Sequence, residues 1–552
     1  MKRVICCAVA ALIASLALGE DRLAGYAGQD APALVVGIVV DQMRYDYIYR
    51  YWDQYGPDGF KRLVREGAFY RNAEYDYVPT YTGPGHASVF TGTTPAVHGI
   101  VGNDWYDRLL KRDVYCVADT NCSPIGVAKA KEGARSPVNL LTTTVTDELK
   151  LAGNFRPKVI GVSLKDRAAI LPAGHLADGA FWLDDASGRW ITSSYYTNAQ
   201  RPGLPAWVEK FNASCRPDAY LTYVMPRWTP VKSPAHYDAS QPGTGTNGGF
   251  DHALMTPFLA AKARSYGLLR ATPIGNALTE EFAEAAVTGE GLGRGKQTDF
   301  LTINFASTDY VGHKYGPRAM ETEDTYLRLD ETLAKLLRFL EKAAGRGRVM
   351  VFLTADHGVV DAPGFSIAHR LPGNRFHTEK VMQSLTNHLK AVRGTVPGMH
   401  FANQQIYLDP MSAAEQQGVE DEIRGWLVRQ PGVADVVSNR DLRRDAQAGT
   451  MNEPLARGIY PPRSGDLTVL LEPGWLEQGE AAGPTATSHG TPYQYDTHVP
   501  VLFWGCRIPH RLIDEPVTIT QIAPTLSQLL NIQFPSGSGN KILPGLRIER
   551  QR

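Results

Sequence analysis

The chain has 552 residues, with 57 Lys plus Arg balanced by 57 Asp plus Glu, so its charge implies no polyanionic partner and nucleic-acid binding is not expected. That length is too great for one simple layered domain, and a 43% hydrophobic share supports a large buried core carrying insertions. Past the N-terminus, no stretch is apolar for long enough to cross a bilayer.

Lys2 and Arg3 precede an apolar run from Val4 to Leu18, which ends in small residues at Ala17-Leu18-Gly19. This pattern predicts a signal peptide over 1–19 and a periplasmic or secreted protein with no stable membrane span after cleavage; a retained anchor is the alternative. Cys6 and Cys7 leave with that segment, and Cys116, Cys122, Cys215 and Cys506 remain. In an oxidising compartment the short spacing between Cys116 and Cys122 favours a disulfide there, while the other two can be free thiols. No Cys-x-x-Cys spacing occurs, so a metal site has to be built from carboxylates and histidines.

Leu34 to Val40 is continuously aliphatic, as expected for a strand buried on both faces of a parallel sheet, and Asp41 stands at its end. Further strands are expected at Lys158 to Leu164, Phe300 to Phe305 and Val349 to Thr354. They lead to Lys165 and Arg167, to Asp309 and to Asp356 respectively. In open α/β sheets ligands bind beyond the carboxyl ends of strands, so these residues are expected on one rim. Phe60, Leu63 and Val64 mark a short helix closed by Gly67, and Leu329, Leu333, Leu336, Leu337 and Leu340 mark a longer one. Val499 to Trp504 reads as a strand and Ile519 to Leu530 as a helix interrupted near Pro524.

Two stretches read as insertions. Residues 172–298 are rich in Gly, Pro, Tyr and Trp, with a hairpin over Phe181 to Tyr196 turning at Asp185-Ala186-Ser187-Gly188. Residues 370–470 carry weaker signals. The expected organisation is a core over 32–171, 299–369 and 471–552, interrupted by an inserted cap at 172–298 and a second insertion at 370–470. The fold class is α/β: a large, mostly parallel sheet with helices on both faces and inserted caps.

Thr82-Gly83-Pro84-Gly85-His86 opens the next helix, where unpaired amides and the macrodipole favour an anion and a hydroxyl is placed to attack phosphorus. Taken alone, such a threonine reads as a helix cap. Asp309-Tyr310-Val311-Gly312-His313 puts a carboxylate and an imidazole four residues apart, and Asp356-His357-Gly358 follows a buried strand. Asp41, Asp356 and His357 with Thr82 make one tetrahedral set; Asp309, His313 and His489 make a second with an open position. His86, His98 and His175 read as supports for loops, and the aromatic residues of 172–298 as packing in preference to nucleobase platforms.

The run Val36 to Arg44, Thr82 to His86, Asn103, Lys165-Asp166-Arg167, Asp309 to His313, Asp356 to Gly358 and His489-Gly490-Thr491 together resemble the alkaline phosphatase superfamily. More narrowly, they resemble the bacterial phosphate-irrepressible alkaline phosphatases with a threonine nucleophile. The resemblance implies two zinc ions per chain, a phosphothreonine intermediate at Thr82, and Asn103, Lys165 and Arg167 around the non-bridging oxygens. Sulfatases of the superfamily carry Cys or Ser before x-Pro-x-Arg, where this chain has Thr82 and His86. Phosphodiesterases share the threonine and asparagine but generally lack the Lys-x-Arg element. A monoester carries one more charge than a diester, so Lys165 and Arg167 favour phosphate monoesters as substrates. A nucleotide pyrophosphatase/phosphodiesterase is the alternative, and a non-catalytic metal- or phosphate-binding protein is the rival from another class.

Overall fold

The computed structural model describes residues 31–130, 133–237, 250–261, 264–477 and 486–546. The expected signal peptide at 1–19 lies outside the described residues. Among the described residues no helix is long and apolar enough to cross a membrane.

The elements that position the site are, in chain order, β1 (Leu34–Val40), β2 (Ala68–Tyr70), α1 (Thr82–Thr91), β3 (Pro124–Ile125), β4 (Val159–Ser163), α2 (Asp166–Ala173), β5 (Gly179–Leu183), β6 (Trp190–Ser193), α3 (Pro273–Glu290), β7 (Asp299–Phe305), α4 (Ser307–Tyr315), α5 (Met320–Ala344), β8 (Val349–Thr354), β9 (Met399–Ala402), β10 (Gln405–Leu408), β11 (Val433–Ser438), β12 (Leu467–Leu471), β13 (Val501–Gly505), β14 (Arg511–Ile513) and α6 (Ile522–Leu530). One ten-stranded sheet runs β14-β2-β13-β8-β1-β7-β4-β5-β6-β3. Its centre, β8-β1-β7-β4-β5, is parallel throughout, and β13 and β6 pair antiparallel at its two sides.

Every residue of β1, β7 and β8 is buried because helices cover the sheet, and their side chains are mostly apolar, with Asp299, Thr302 and Asn304 of β7 and Thr354 of β8 the polar exceptions. Phe90 of α1 packs on Phe300 of β7 and Phe352 of β8, which seats that helix across the sheet centre. The leucines expected on one helical face are buried along α5, which packs against α3. Near the C-terminus the Pro524 interruption resolves as a 3₁₀ turn, Ile519–Gln521, leading into α6. Pro524 therefore falls in the first turn, where its missing N–H breaks no helical bond.

The hairpin expected over 181–196 forms as β5 and β6, with Trp182 opposite Ile191. It extends the central sheet from within the stretch read as an inserted cap, and α3, from the same stretch, packs on β7. Its aromatic residues are packing groups: Trp190 stacks on Phe282 with ring centroids 4.0 Å apart, and Trp207 and Phe211 crowd the same ring. The 370–470 stretch instead contributes to a separate four-stranded sheet, β9-β10-β12-β11. That sheet has its own core of Leu385, Leu389, Ile406, Val419, Ile423 and Val469 among others.

The expected Cys116–Cys122 disulfide does not form. Cys116 is buried beside the first residues of α1, where burial pushes its thiol up to about 12, whereas Cys122 donates to Asp119 Oδ2 at 3.3 Å. Short sequence spacing does not bring the sulfurs together because Cys116 ends a strand and faces the core, while Cys122 lies in the following turn.

Candidate active site

Sheet register sets the site. Val40 pairs with Phe305, Val39 with both Asn304 and Thr354, and Asn304 with Ser163. Four parallel strands therefore end at one level, and the residues just beyond them, Asp41, Asp309, Asp356 and Lys165, converge on one rim.

Asp41, Asp356 and His357 are all fully buried. One donor atom from each lies within 4.8 Å of the others. Asp41 Oδ1, Asp356 Oδ2 and His357 Nε2 have no hydrogen-bond partner. Three orphaned acceptors or donors facing one another in the interior would be costly without a bound cation. Burial and the adjacent Asp41 carboxylate push Asp356 well above the ordinary carboxylate range, and burial lowers His357 to about 4. The Asp356 shift is what a carboxylate cluster short of positive charge produces, whereas burial lowers His357 even though Asp41 and Asp309 oppose that shift, which keeps its imidazole neutral.

Asp309, His313 and His489 form a second group of the same compactness. Asp309 and His313 come from successive turns of α4, which places both side chains on one helical face, with His313 Nε2 3.0 Å from Asp309 Oδ1. His489 arrives from the loop before Gln494–Thr497, anchored where Thr491 donates through both N and Oγ1 to Asp496. Its Nε2 lies 3.8 Å from Asp309 Oδ1 and its ring stacks on His357 at 3.5 Å between centroids. Burial and the rings of His357 and His313 hold His489 well below its ordinary value. Burial alone would raise Asp309, but His313 and Lys165 hold it well below the carboxylate range.

All three histidines share one arrangement. His313 Nδ1 donates to Thr487 O at 2.7 Å, His489 Nδ1 to Thr80 O at 2.7 Å and His357 Nδ1 to Gly358 O at 2.9 Å. A backbone carbonyl thus fixes each tautomer and leaves Nε2 as a lone-pair ligand, the support that metal-ligating imidazoles require. Lys165 bridges the two groups, its Nζ 2.9 Å from Asp41 Oδ2 and 2.6 Å from Asp309 Oδ2. Burial opposes its charge, and the two carboxylates more than restore it.

Thr82 is the first residue of α1 and is 1% exposed. Arg167 Nη2 lies 3.4 Å from its Oγ1, while Arg167 Nη1 reaches Tyr115 OH at 3.1 Å. Gly83 N donates to Asn103 Oδ1 at 2.7 Å, which leaves the Asn103 amide nitrogen to donate elsewhere. Gly85 permits the close approach of α1 to the strand end: a Cβ there would sit 2.3 Å from the carbonyl oxygen of Asp356. The ten expected site residues thus fall into one constellation, with Lys165 held by carboxylates and Arg167 by the hydroxyl.

The supporting histidines do not join it as ligands. His98 bonds Ser88 and receives Ile100 N–H, and His175 bonds Asp147 and Leu140 O. His498, close in sequence to His489, bonds Arg71 O and stacks on Tyr45. His86 comes nearest, with Nδ1 on Thr82 O and 3.4 Å from Asp356 Oδ2.

Two participants escaped the sequence reading. Gln42 adopts a left-handed φ of 62°, its N–H donating to Asp356 Oδ1 at 3.1 Å and its Nε2 to Asp309 Oδ1 at 2.7 Å, so it touches both groups. Nothing in its sequence context marks it. Asn304 Nδ2 donates to Asp41 Oδ2 at 3.3 Å; an amide near the end of a buried strand was a readable signal.

A family model described as type I phosphodiesterase / nucleotide pyrophosphatase matches residues 35–492. Alkaline phosphatase PafA of Elizabethkingia meningoseptica is 42% identical over 92% of this chain and 93% of its own length. Alkaline phosphatase PhoV of Synechococcus elongatus is 40% identical over 93% of each. The crystal structure of wild-type PafA superposes with a TM-score of 0.86 at 41% identity, covering 94% of this chain and 99% of that one.

Proposed function

This chain belongs to the type I phosphodiesterase / nucleotide pyrophosphatase family, and from that premise we propose that it is an exported, zinc-dependent alkaline phosphatase. In this reading it hydrolyses phosphate monoesters through a phosphothreonine at Thr82 and retains a lesser activity on diesters. The observation that carries the reading is the convergence of Asp41 Oδ1, Asp356 Oδ2 and His357 Nε2, buried and without hydrogen-bond partners, beside a second Asp/His/His group and a helix-terminal hydroxyl. The donor set is oxygen and imidazole nitrogen with tautomers fixed from behind, which suits zinc.

Asp41, Asp356 and His357, with Thr82, would hold one ion, and Asp309, His313 and His489 the other. When bound, two such ions supply Lewis acidity at the attacking and departing oxygens. The protein's own groups provide the rest. The Arg167 guanidinium beside Thr82 Oγ1 favours the hydroxyl's ionised form. Thr82 Oγ1 forms a bond to phosphorus as the ester oxygen leaves in line, and water then cleaves the phosphothreonine to release phosphate. The amides at the start of α1, the Asn103 amide nitrogen and Arg167 receive the non-bridging oxygens, where charge gathers in a loose transition state. Lys165 contributes its charge from between Asp41 and Asp309.

A solved PafA variant, altered at a threonine, an asparagine, a lysine and an arginine, supports these assignments. Its four positions are spaced 21, 62 and 2 apart, the same spacing that separates Thr82, Asn103, Lys165 and Arg167 here. Metal analysis of the purified protein should give about two zinc ions per chain. Chelation should abolish activity, and a monoester should turn over faster than its methyl diester. Activity surviving full removal of metal, or faster turnover of the diester, would overturn the proposal.

A further inference from the structure

Asn103 sits on the short connection between the helical turn Pro95–His98 and the hairpin Asp104–Asp107/Arg112–Tyr115, and its carbonyl oxygen receives Cys116 N–H at 2.9 Å. Against this connection rests the tip of a different hairpin, β9–β10, which belongs to the separate four-stranded sheet. The tip is the pair Asn403-Gln404, with φ of 53° and 58°. Two successive positive φ values make the tight turn that matches strand twist, and Asn is favoured at its first position. Its side chain is directed inward: Asn403 Nδ2 donates to Asp104 O at 2.6 Å. The same amide packs on Gly102, where a Cβ would come within 2.5 Å of Nδ2.

One side chain thus grips both neighbours of Asn103, the residue before and the residue after. Asn103 in turn accepts from Gly83 N beside Thr82. Nothing in the turn itself requires this contact, because a glycine at 403 would satisfy the same backbone geometry. We propose that Asn403 is a positioning residue for monoester hydrolysis: the 370–470 segment uses it to hold Asn103 in the orientation that presents its amide nitrogen to the phosphoryl oxygens. The proposal rests on the phosphate-binding role assigned to Asn103 above.

The test is a double-mutant cycle on the full-length, metal-loaded enzyme, combining Asn403→Gly with Asn103→Ala. Glycine keeps the turn and removes only the amide. Asn403→Gly alone should lower monoester kcat/KM by about fivefold to tenfold, as expected for one hydrogen bond that orients a charge-binding group. In the Asn103→Ala background the same change should cost less than about twofold, because the group it orients is gone. Metal content and melting temperature should stay at wild-type values. An equal loss in both backgrounds, no loss in either, or a loss that follows metal content would overturn the proposal. If Asn103→Ala by itself left monoester hydrolysis untouched, the role of Asn103 would fail, a result separable from any outcome at Asn403.

Discussion

The half of the site proposed to hold metal is built around the ends of parallel strands, with Asp309 and His313 on α4 and His489 on a loop beside them, whereas the half proposed to face phosphate hangs on a helix start and a loop held from outside the sheet. In the first half, register places Asp41 and Asp356 at one level, α4 carries Asp309 to them, and backbone carbonyls lock all three histidines. In the second, Thr82, Asn103 and Arg167 depend on side-chain contacts with Gly83, Tyr115 and, through its neighbours, Asn403. Strand ends are rigid because buried ladders on both sides fix them; loops inherit order only from what packs on them. The first half is therefore expected to fail abruptly when altered and the second by degrees.

The largest effect should come from removing a ligand. His489→Ala should lower monoester kcat/KM by more than about a hundredfold, because the loss of groups that merely support a ligand already costs about 10- to 100-fold. Steady-state kinetics with parallel metal analysis checks this, and near-normal kinetics would remove His489 from the site. Gln42→Ala should come next, weakening metal affinity by about 10- to 100-fold through the loss of its contact with Asp309. Competition with a graded chelator measures it directly.

These two predictions differ in how visible their residues were beforehand. His489 was legible through the family resemblance of His489-Gly490-Thr491, and the aspartates because each follows an aliphatic run whose burial the composition dictates. Gln42 was not, since its importance comes from a left-handed turn that only the folded strand end reveals. The central sheet was legible for the same reason as the aspartates. That β5 and β6 extend it was not, because period and turn residues show a hairpin without showing its neighbour. The Cys116–Cys122 spacing misled because proximity in sequence says nothing of which way a strand-end side chain faces.

Smaller effects separate Arg167 from Lys165. Arg167→Ala should slow monoester hydrolysis about tenfold or more and diester hydrolysis less, since it faces the hydroxyl and the extra charge of a monoester. Lys165→Ala should depress both substrates together, because its ammonium is held between Asp41 and Asp309. Parallel rates on a monoester and its methyl diester distinguish the two; matching selectivity changes would place both lysine and arginine on the phosphate. The smallest effect concerns the cysteines: reductant should leave the melting temperature unchanged, since Cys116 and Cys122 hold no bridge. A drop of several degrees on reduction would contradict this.

Thr82 Oγ1 is the proposed acceptor of the phosphoryl group, and the most direct measurement is peptide mass spectrometry of enzyme quenched in acid during turnover of a phosphate monoester. The predicted result is phosphate on a single residue, Thr82, and none in the Thr82→Ala variant, which keeps its fold and most of its metal binding. Phosphate mapped to another side chain, or turnover by Thr82→Ala at the wild-type rate, would contradict it.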